Sequence, residues 1–321
     1  MIASSSQPTT MATNGRRTAG ILGVLTLTLT QVTVSAFSLA DKPVSVLLNE
    51  KGPGIAALKE KAAGLGVDLS AKPYSNDVFF LRYCLEEDED GVDPTTTLTE
   101  TISWRNGEGK AICDAAVGAI AEATAEEGGW NNEPVLKAAP GSAVISEFLN
   151  NNCLTTTSSK GDLVYCIRAG KIDDVGLMKG LNGEIGPLVD FFLYAKEVNA
   201  IVANDRSLQS DKLLSIITAN DLSSVKLVGG DKSFRSALSA SSKKAASLYP
   251  CLNGPTLLLN LPKLLSALVK LFTPLFPPKV KERLRFEQGP LSSIDTLADV
   301  TYGGIGRDKF LKELDDIIYD G

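Results

Sequence analysis

The chain has 321 residues, 44% hydrophobic and 22% charged, with a formal net charge of -6 and no histidine. The acidic balance speaks against a nucleic-acid partner, which needs a dominant field of clustered Lys and Arg. The missing imidazole excludes Ser-His-Asp and Cys-His nucleophilic sites, His-ligated zinc and His general-base work, leaving only isolated Asp or Glu chemistry open; no catalytic residue, metal or cofactor is expected. The five cysteines, Cys84, Cys113, Cys153, Cys166 and Cys251, are widely scattered and form no CxxC pair, so they read as small buried apolar residues.

In chain order, residues 1–18 are rich in Ser and Thr, carry Arg16 and Arg17, and lack acids. The apolar run "AGILGVLTLTLTQVTVSAF" follows and contains Val34-Ser35-Ala36, a small-x-small cleavage pattern. Residues 1–36 therefore read as a cleaved signal peptide, too short in its apolar part for a spanning helix. The junction "VSAF", with Phe37 after the cut, resembles the ASAF-type motif of the bipartite presequences that direct proteins into complex plastids. Residues 37–54 then read as a transit-like segment, and a plastid location is expected. Asp41 and Glu50 depart from the acid-poor transit pattern and leave ordinary secretion open, while free cysteines favour a reducing compartment.

Packed structure is expected from about Gly54. Residues 55–155 read as a helical module: "IAALKEKAAGLG", "DVFFLRYCLEE", "TTLTETISWR", "KAICDAAVGAIAEATAEE" and "SAVISEFLNNN" repeat apolar residues at three and four. The acidic run Glu86–Asp90 reads as a solvated loop, because it lacks the spaced oxygens and Gly of a calcium loop. After residue 155 the pattern changes. Strands are predicted at Asp162–Ala169, Lys212–Asp221, Thr256–Leu261 and Arg283–Phe286, with helices at Gly186–Val202 and Lys232–Leu248. That alternation implies an α/β fold with a mostly parallel sheet flanked by helices. "GGDKS" (Gly229–Ser233) and "YGGIG" lack the spacing of phosphate-binding loops and read as turns.

The stretch Tyr249–Pro278 is dominated by Leu, Val, Phe and Pro. Pro262 suits the first position of a helix, and "KLLSALVKLF" ends before Pro274. Its polar residues Lys263, Ser266 and Lys270 form one narrow stripe. Ten residues reach about 15 Å, half a bilayer core, so the segment is either a core helix or one with apolar contacts on two sides. Within Thr256–Phe286, Lys263, Lys270, Lys279, Lys281, Arg283 and Arg285 stand against Glu282 alone, a basic, apolar segment suited to an anionic membrane surface.

"LYPCLNGPTLLLNLPKLLSALVKLFTPLFPPKVKERLRF" resembles the heart of the CRAL-TRIO (Sec14-like) lipid-binding domain in its Tyr249-Pro250, Asn260-Leu261-Pro262, apolar 263–272 helix and Pro277-Pro278. Phe80–Arg105 resembles the N-terminal helical module of that family, Lys160–Asp173 the first strand of the lipid domain, and Leu297–Gly306 its closing Tyr-Gly-Gly. The resemblance implies a lipid domain over 156–306, a C-terminal helix over 307–321, and an internal apolar pocket closed by a mobile gate helix. It implies binding and intermembrane transfer of a single lipid without catalysis, the partners being a lipid or other hydrophobic small molecule and a peripheral anionic membrane surface. The implied pocket walls are Phe191, Phe192, Tyr194, Leu257, Leu259, Leu264, Leu268 and Leu271, with Arg283 as a headgroup contact. The family's phosphoinositide clamp is incomplete: Cys251 replaces the Glu after Tyr-Pro, Val280 and Arg283 replace the Thr and Lys after the gate, and Leu85 stands where a second Arg is expected. An isoprenoid carrier or a ligand-free docking scaffold are the alternatives.

Overall fold

The computed structural model describes residues 42–125, 131–149, 153–156, 163–223, 225, 230–262, 284–294, 312 and 315–316, with the side chains of 87–90, 153–156 and 163–168 set aside. Residues 1–36, expected to be a signal peptide, the 263–272 segment and the Tyr-Gly-Gly stretch lie outside them.

Packed structure begins ahead of Gly54, with α1 (Val44–Glu50). Its start is fixed by Asp211, whose carbonyl accepts from Val44 N at 3.0 Å and whose carboxylate accepts from Ser45 N at 2.7 Å and Ser45 Oγ at 3.0 Å. Only Val44 and Leu47 are buried, too few apolar positions for a periodic window to register. Helix α2 (Gly52–Gly64) buries Ile55, Leu58 and Ala62 on one face. Helix α3 spans Asp77–Asp90, so the acidic run Glu86–Asp90 continues a helix instead of forming a loop. The reason lies upstream, where Phe80, Leu81, Cys84 and Leu85 are buried and hold the helix that the Glu residues extend at little propensity cost.

Helix α4 (Pro94–Asn106) opens with Pro94 in the first turn and Asp93 as N-cap, its carboxylate accepting from Thr95 N at 3.2 Å and Thr96 N at 3.1 Å. Helices α5 (Lys110–Ala123), α6 (Asn132–Ala138) and α7 (Ser142–Leu149) follow.

The strands are β1 (Cys153–Thr156), β2 (Leu163–Arg168), β3 (Ile216–Asp221), β4 (Asn253–Leu259) and β5 (Leu284–Glu287). Among the described residues they form a five-stranded sheet in sequential order. β1 runs antiparallel to β2, and the β2–β3, β3–β4 and β4–β5 pairs are parallel, so the expected α/β architecture with a mostly parallel, helix-flanked sheet is what forms. Between β2 and β3 lie α8 (Asp174–Gly180) and α9 (Gly186–Ser210), and between β3 and β4 lies α10 (Lys232–Leu248). Asp231, in the "GGDKS" stretch, caps α10 by accepting from Ser233 N and Phe234 N. Helix α9 runs past the expected end at Val202 because Ala203, Asn204 and Ser207 are buried; it stops where Asp211 takes a left-handed conformation at φ 55°.

Parallel strands in sequential order, joined by right-handed crossovers, carry their helices on one face. Ile216 packs in the same cluster as residues of α5, α9 and α10, which identifies the helix side of β3. The helices before β1 share this core: Trp104, Ile112, Ala116 and Ile120 pack in one cluster with Phe191, Phe192 and Ile201. No helix among the described residues is long and apolar enough to cross a membrane.

Candidate functional site

Strand alternation sorts β3 and β4 into two faces. Ile216, Thr218 and Asn220 point to the helix side, and the register places Thr256 and Leu258 beside them. Ile217, Ala219 and Asp221 point the other way, with Leu257 opposite Ala219 and Leu259 opposite Asp221. Ile217, Ala219, Leu257 and Leu259 are all buried. On β5 the same face carries Arg285 opposite Leu257 and Glu287 opposite Leu259, both half-buried. An apolar floor with a charged rim results.

The floor ends in a braced turn. Asp221 accepts from Ser223 N at 3.1 Å, Ser223 Oγ at 2.7 Å and Asn260 Nδ2 at 3.0 Å. Asn260 in turn accepts from Gly289 N at 2.9 Å, and its φ of 53° turns the chain sharply after β4. This is the Asn of the Asn-Leu-Pro motif. Its amide ties the ends of β3 and β4 to the segment after β5, so the chain leaves the floor towards residue 263 from a fixed point.

The predicted wall residues do not form one constellation. Leu257 and Leu259 lie on the floor. Phe191, Phe192 and Tyr194 lie in the helix-side cluster with Ile216, where the Phe191 and Phe192 rings meet edge to face at 5.6 Å and the Tyr194 hydroxyl donates to Val135 O at 2.8 Å. By the alternation of β3 and β4 the three aromatics lie on the helix side of the sheet and Leu257 and Leu259 on the other. Leu264, Leu268, Leu271 and Arg283 lie outside the described residues.

The missing clamp has a structural counterpart. Arg82 is buried and donates from Nε to Asn204 Oδ1 at 2.7 Å, from Nη2 to Leu214 O at 2.6 Å, and from Nη1 to Cys251 O. Burial pulls its guanidinium down to about 10, against the opposing pull of Cys251. Cys251 itself is buried at φ 49° and packs with Leu85 in the cluster of α1–α4. Of the positions compared with a headgroup clamp, Leu85 and Cys251 are thus buried where α3 meets the chain ahead of β4, while Val280 and Arg283 lie outside the described residues.

A second buried group joins α4 to α9. Arg105 Nη2 bonds Glu197 Oε2 at 2.5 Å, and the Tyr249 hydroxyl donates to the same oxygen at 3.0 Å. Burial, then Glu197, push the Cys113 thiol beside them up to about 12. Neither cluster is foreseen from the sequence, although a charged pair inside "FFLYAKEVNAIV" is a signal, since a helix apolar on most sides must pair any acid it buries. No group of His, Cys, Asp and Glu with metal-ligand geometry occurs among the described residues.

The described residues define a mixed α/β protein in which an N-terminal set of helices is seated on the helix layer of a mostly parallel sheet. Compared with solved structures, the chain is similar to the crystal structure of Sfh5 at 16% identity and a TM-score of 0.42, over 76% of this chain and 80% of that chain. No family model matches the sequence, and no curated protein matches it.

Proposed function

We propose that the chain binds a single lipid or other hydrophobic small molecule on the Ile217–Ala219–Leu257–Leu259 face and carries or presents it without chemical change. The observation that carries this reading is the pairing of that buried apolar floor with the segment that follows it, apolar over most of 263–272 and richer in bases than in acids up to Arg285. Burial on both faces alone fits any covered parallel sheet. The segment between Pro262 and Pro274 adds a cover with one polar stripe and too short a span to cross a bilayer, which suits a gate that meets the ligand on one side and a membrane surface on the other. The ordered CRAL-TRIO-like motifs support the same reading.

In this reading Arg285, on the rim opposite Leu257, takes the headgroup role together with Arg283, since a guanidinium matches phosphate or sulfate oxygens in pairs. The surplus of bases over 256–286 draws the gate to an anionic membrane surface. Of the presequence-like residues 1–54, those ahead of α1 (1–43) would take the protein to a plastid, which a fluorescent fusion tests directly.

The deciding experiment is mass spectrometry of the purified protein under native and denaturing conditions, then incubation with vesicles of galactolipid, sulfolipid and phosphatidylglycerol. One stoichiometric lipid is expected. Coloured or fluorescent isoprenoid material would favour the pigment-carrier alternative. A chain that carries nothing and extracts nothing would replace binding with the scaffold reading.

A further inference from the structure

Resting on the reading of residues 1–36 as a cleaved leader, we propose that proteolytic maturation of this chain ends ahead of Pro43, so that α1 stays in the finished protein and none of residues 43–54 is removed. Helix α1 is built into the fold at its first turn. Pro43, at the cap position, gives no side-chain bond to the helix, and the first amides find their partners far along the chain. Val44 N donates to Asp211 O at 3.0 Å, and Ser45 donates from N and Oγ to the Asp211 carboxylate at 2.7 and 3.0 Å. Asp211 is the left-handed residue that ends α9, and Pro43 forms an antiparallel bridge with Lys212 beside it. Val44 and Leu47 are each 1% exposed, and Leu47 packs in one cluster with Tyr74, Phe79 and Phe80.

Seven residues are too few to hold a helix alone in water, so α1 forms only as α9 and the cluster form. Before folding, its peptide bonds are as open to an endopeptidase as those of any unfolded chain. After folding they lie in a docked helix, not in the exposed loop tips that proteases cut. Pro43 guards the boundary itself, because it brings a fixed φ and no amide N–H to the bond after Lys42. The new N-terminus therefore falls within residues 37–42, directly after the small-x-small pattern Val34-Ser35-Ala36. Hydrolysis of one bond there by an external endopeptidase consumes one water and leaves a carboxylate on the leader and a free amine on the mature chain. A cut beyond α1 instead takes the Ser45 bonds from Asp211 and Leu47 from the aromatic cluster.

Two measurements test the boundary. Mass spectrometry of the protein purified from the cells that make it should find the N-terminus within residues 37–42. An N-terminus inside or beyond α1 overturns the proposal, and a chain that keeps Met1 overturns the leader reading and the cut together. Independently of any leader, recombinant chains beginning at Phe37 and at Gly52 should differ in thermal stability. The shorter one keeps α2 whole, and should melt lower by roughly 5–10 °C for the loss of two buried aliphatic side chains. Equal melting overturns the proposal even where the N-terminus falls as expected. If the shorter chain does not fold, Leu47→Ala in the longer one decides: a melting point lowered by roughly 5 °C is expected, and an unchanged one overturns the proposal.

Discussion

Arg105 and Glu197 face each other in a buried ion pair, Nη2 to Oε2 at 2.5 Å, with side chains 4% and 0% exposed. The pair joins α4 to α9, and Tyr249, just before β4, donates to the same carboxylate oxygen. The guanidinium also lies over the rings of Phe79 at 5.5 Å and Tyr74 at 5.8 Å. Burial opposes the Arg105 charge, but Glu197 outweighs it and holds the guanidinium above its usual range. Removing one partner strands the other charge, at a cost of about 3–5 kcal/mol. Arg105→Met and Glu197→Leu should each destabilise by that order in urea unfolding, and the double variant should lose less than either single change. Additive losses would show that the two residues do not act as a pair.

Arg82 differs in having only neutral acceptors: the carbonyls of Leu214 and Cys251 and the amide oxygen of Asn204. Its three bonds leave from a rigid fork that a lysine lacks. Arg82→Lys and Arg82→Met should therefore both destabilise, by roughly 2–4 kcal/mol, since each leaves buried carbonyls unmet. A urea midpoint for Arg82→Lys equal to that of the parent chain would show that one charge suffices and the fork does not matter.

These two residues mark where the sequence stops being legible. Helix α10 is read at its full bounds, Lys232–Leu248, because Asp231 supplies a cap and the apolar spacing is regular. Strand β4 announces itself as a continuous apolar run, and Leu257 and Leu259 fall on one face by simple alternation. β1, α6 and α8 are four to seven residues long, shorter than any window in which a period can be counted. The side of the sheet that Phe191, Phe192 and Tyr194 occupy depends on crossover hand and strand order, which are properties of the assembled chain. The partners of Arg82 lie at Asn204, Leu214 and Cys251, and no local pattern connects them.

Gly109 shows how closely α4 and α5 approach. Its amide donates to Trp104 O at 2.8 Å, and a Cβ added there would fall into the Trp104 indole. Gly109→Ala should displace the ring and cost about 1–3 kcal/mol by overpacking. The tryptophan emission should shift to the red as the indole, now 7% exposed, meets water. Unchanged emission and stability would mean that the junction opens to admit a methyl group freely.

Lys196 gives the chain a pH dependence of definite sign. Burial lowers its amine from 10.5 to about 8, so between those values the unfolded chain holds the proton more tightly than the folded one. Stability at this site therefore rises as pH climbs from about 8 towards 10.5. Below pH 8 the whole penalty is present, roughly 3 kcal/mol for a shift of that size. Lys196→Met removes that penalty together with the contacts of the amine, the bond to Asn253 among them. The stability difference between the variant and the parent should move in the parent's favour by roughly 2–3 kcal/mol from pH 7 to pH 10. Parallel stability curves for the two proteins across pH 7–10 would mean that the folded chain holds the amine in water.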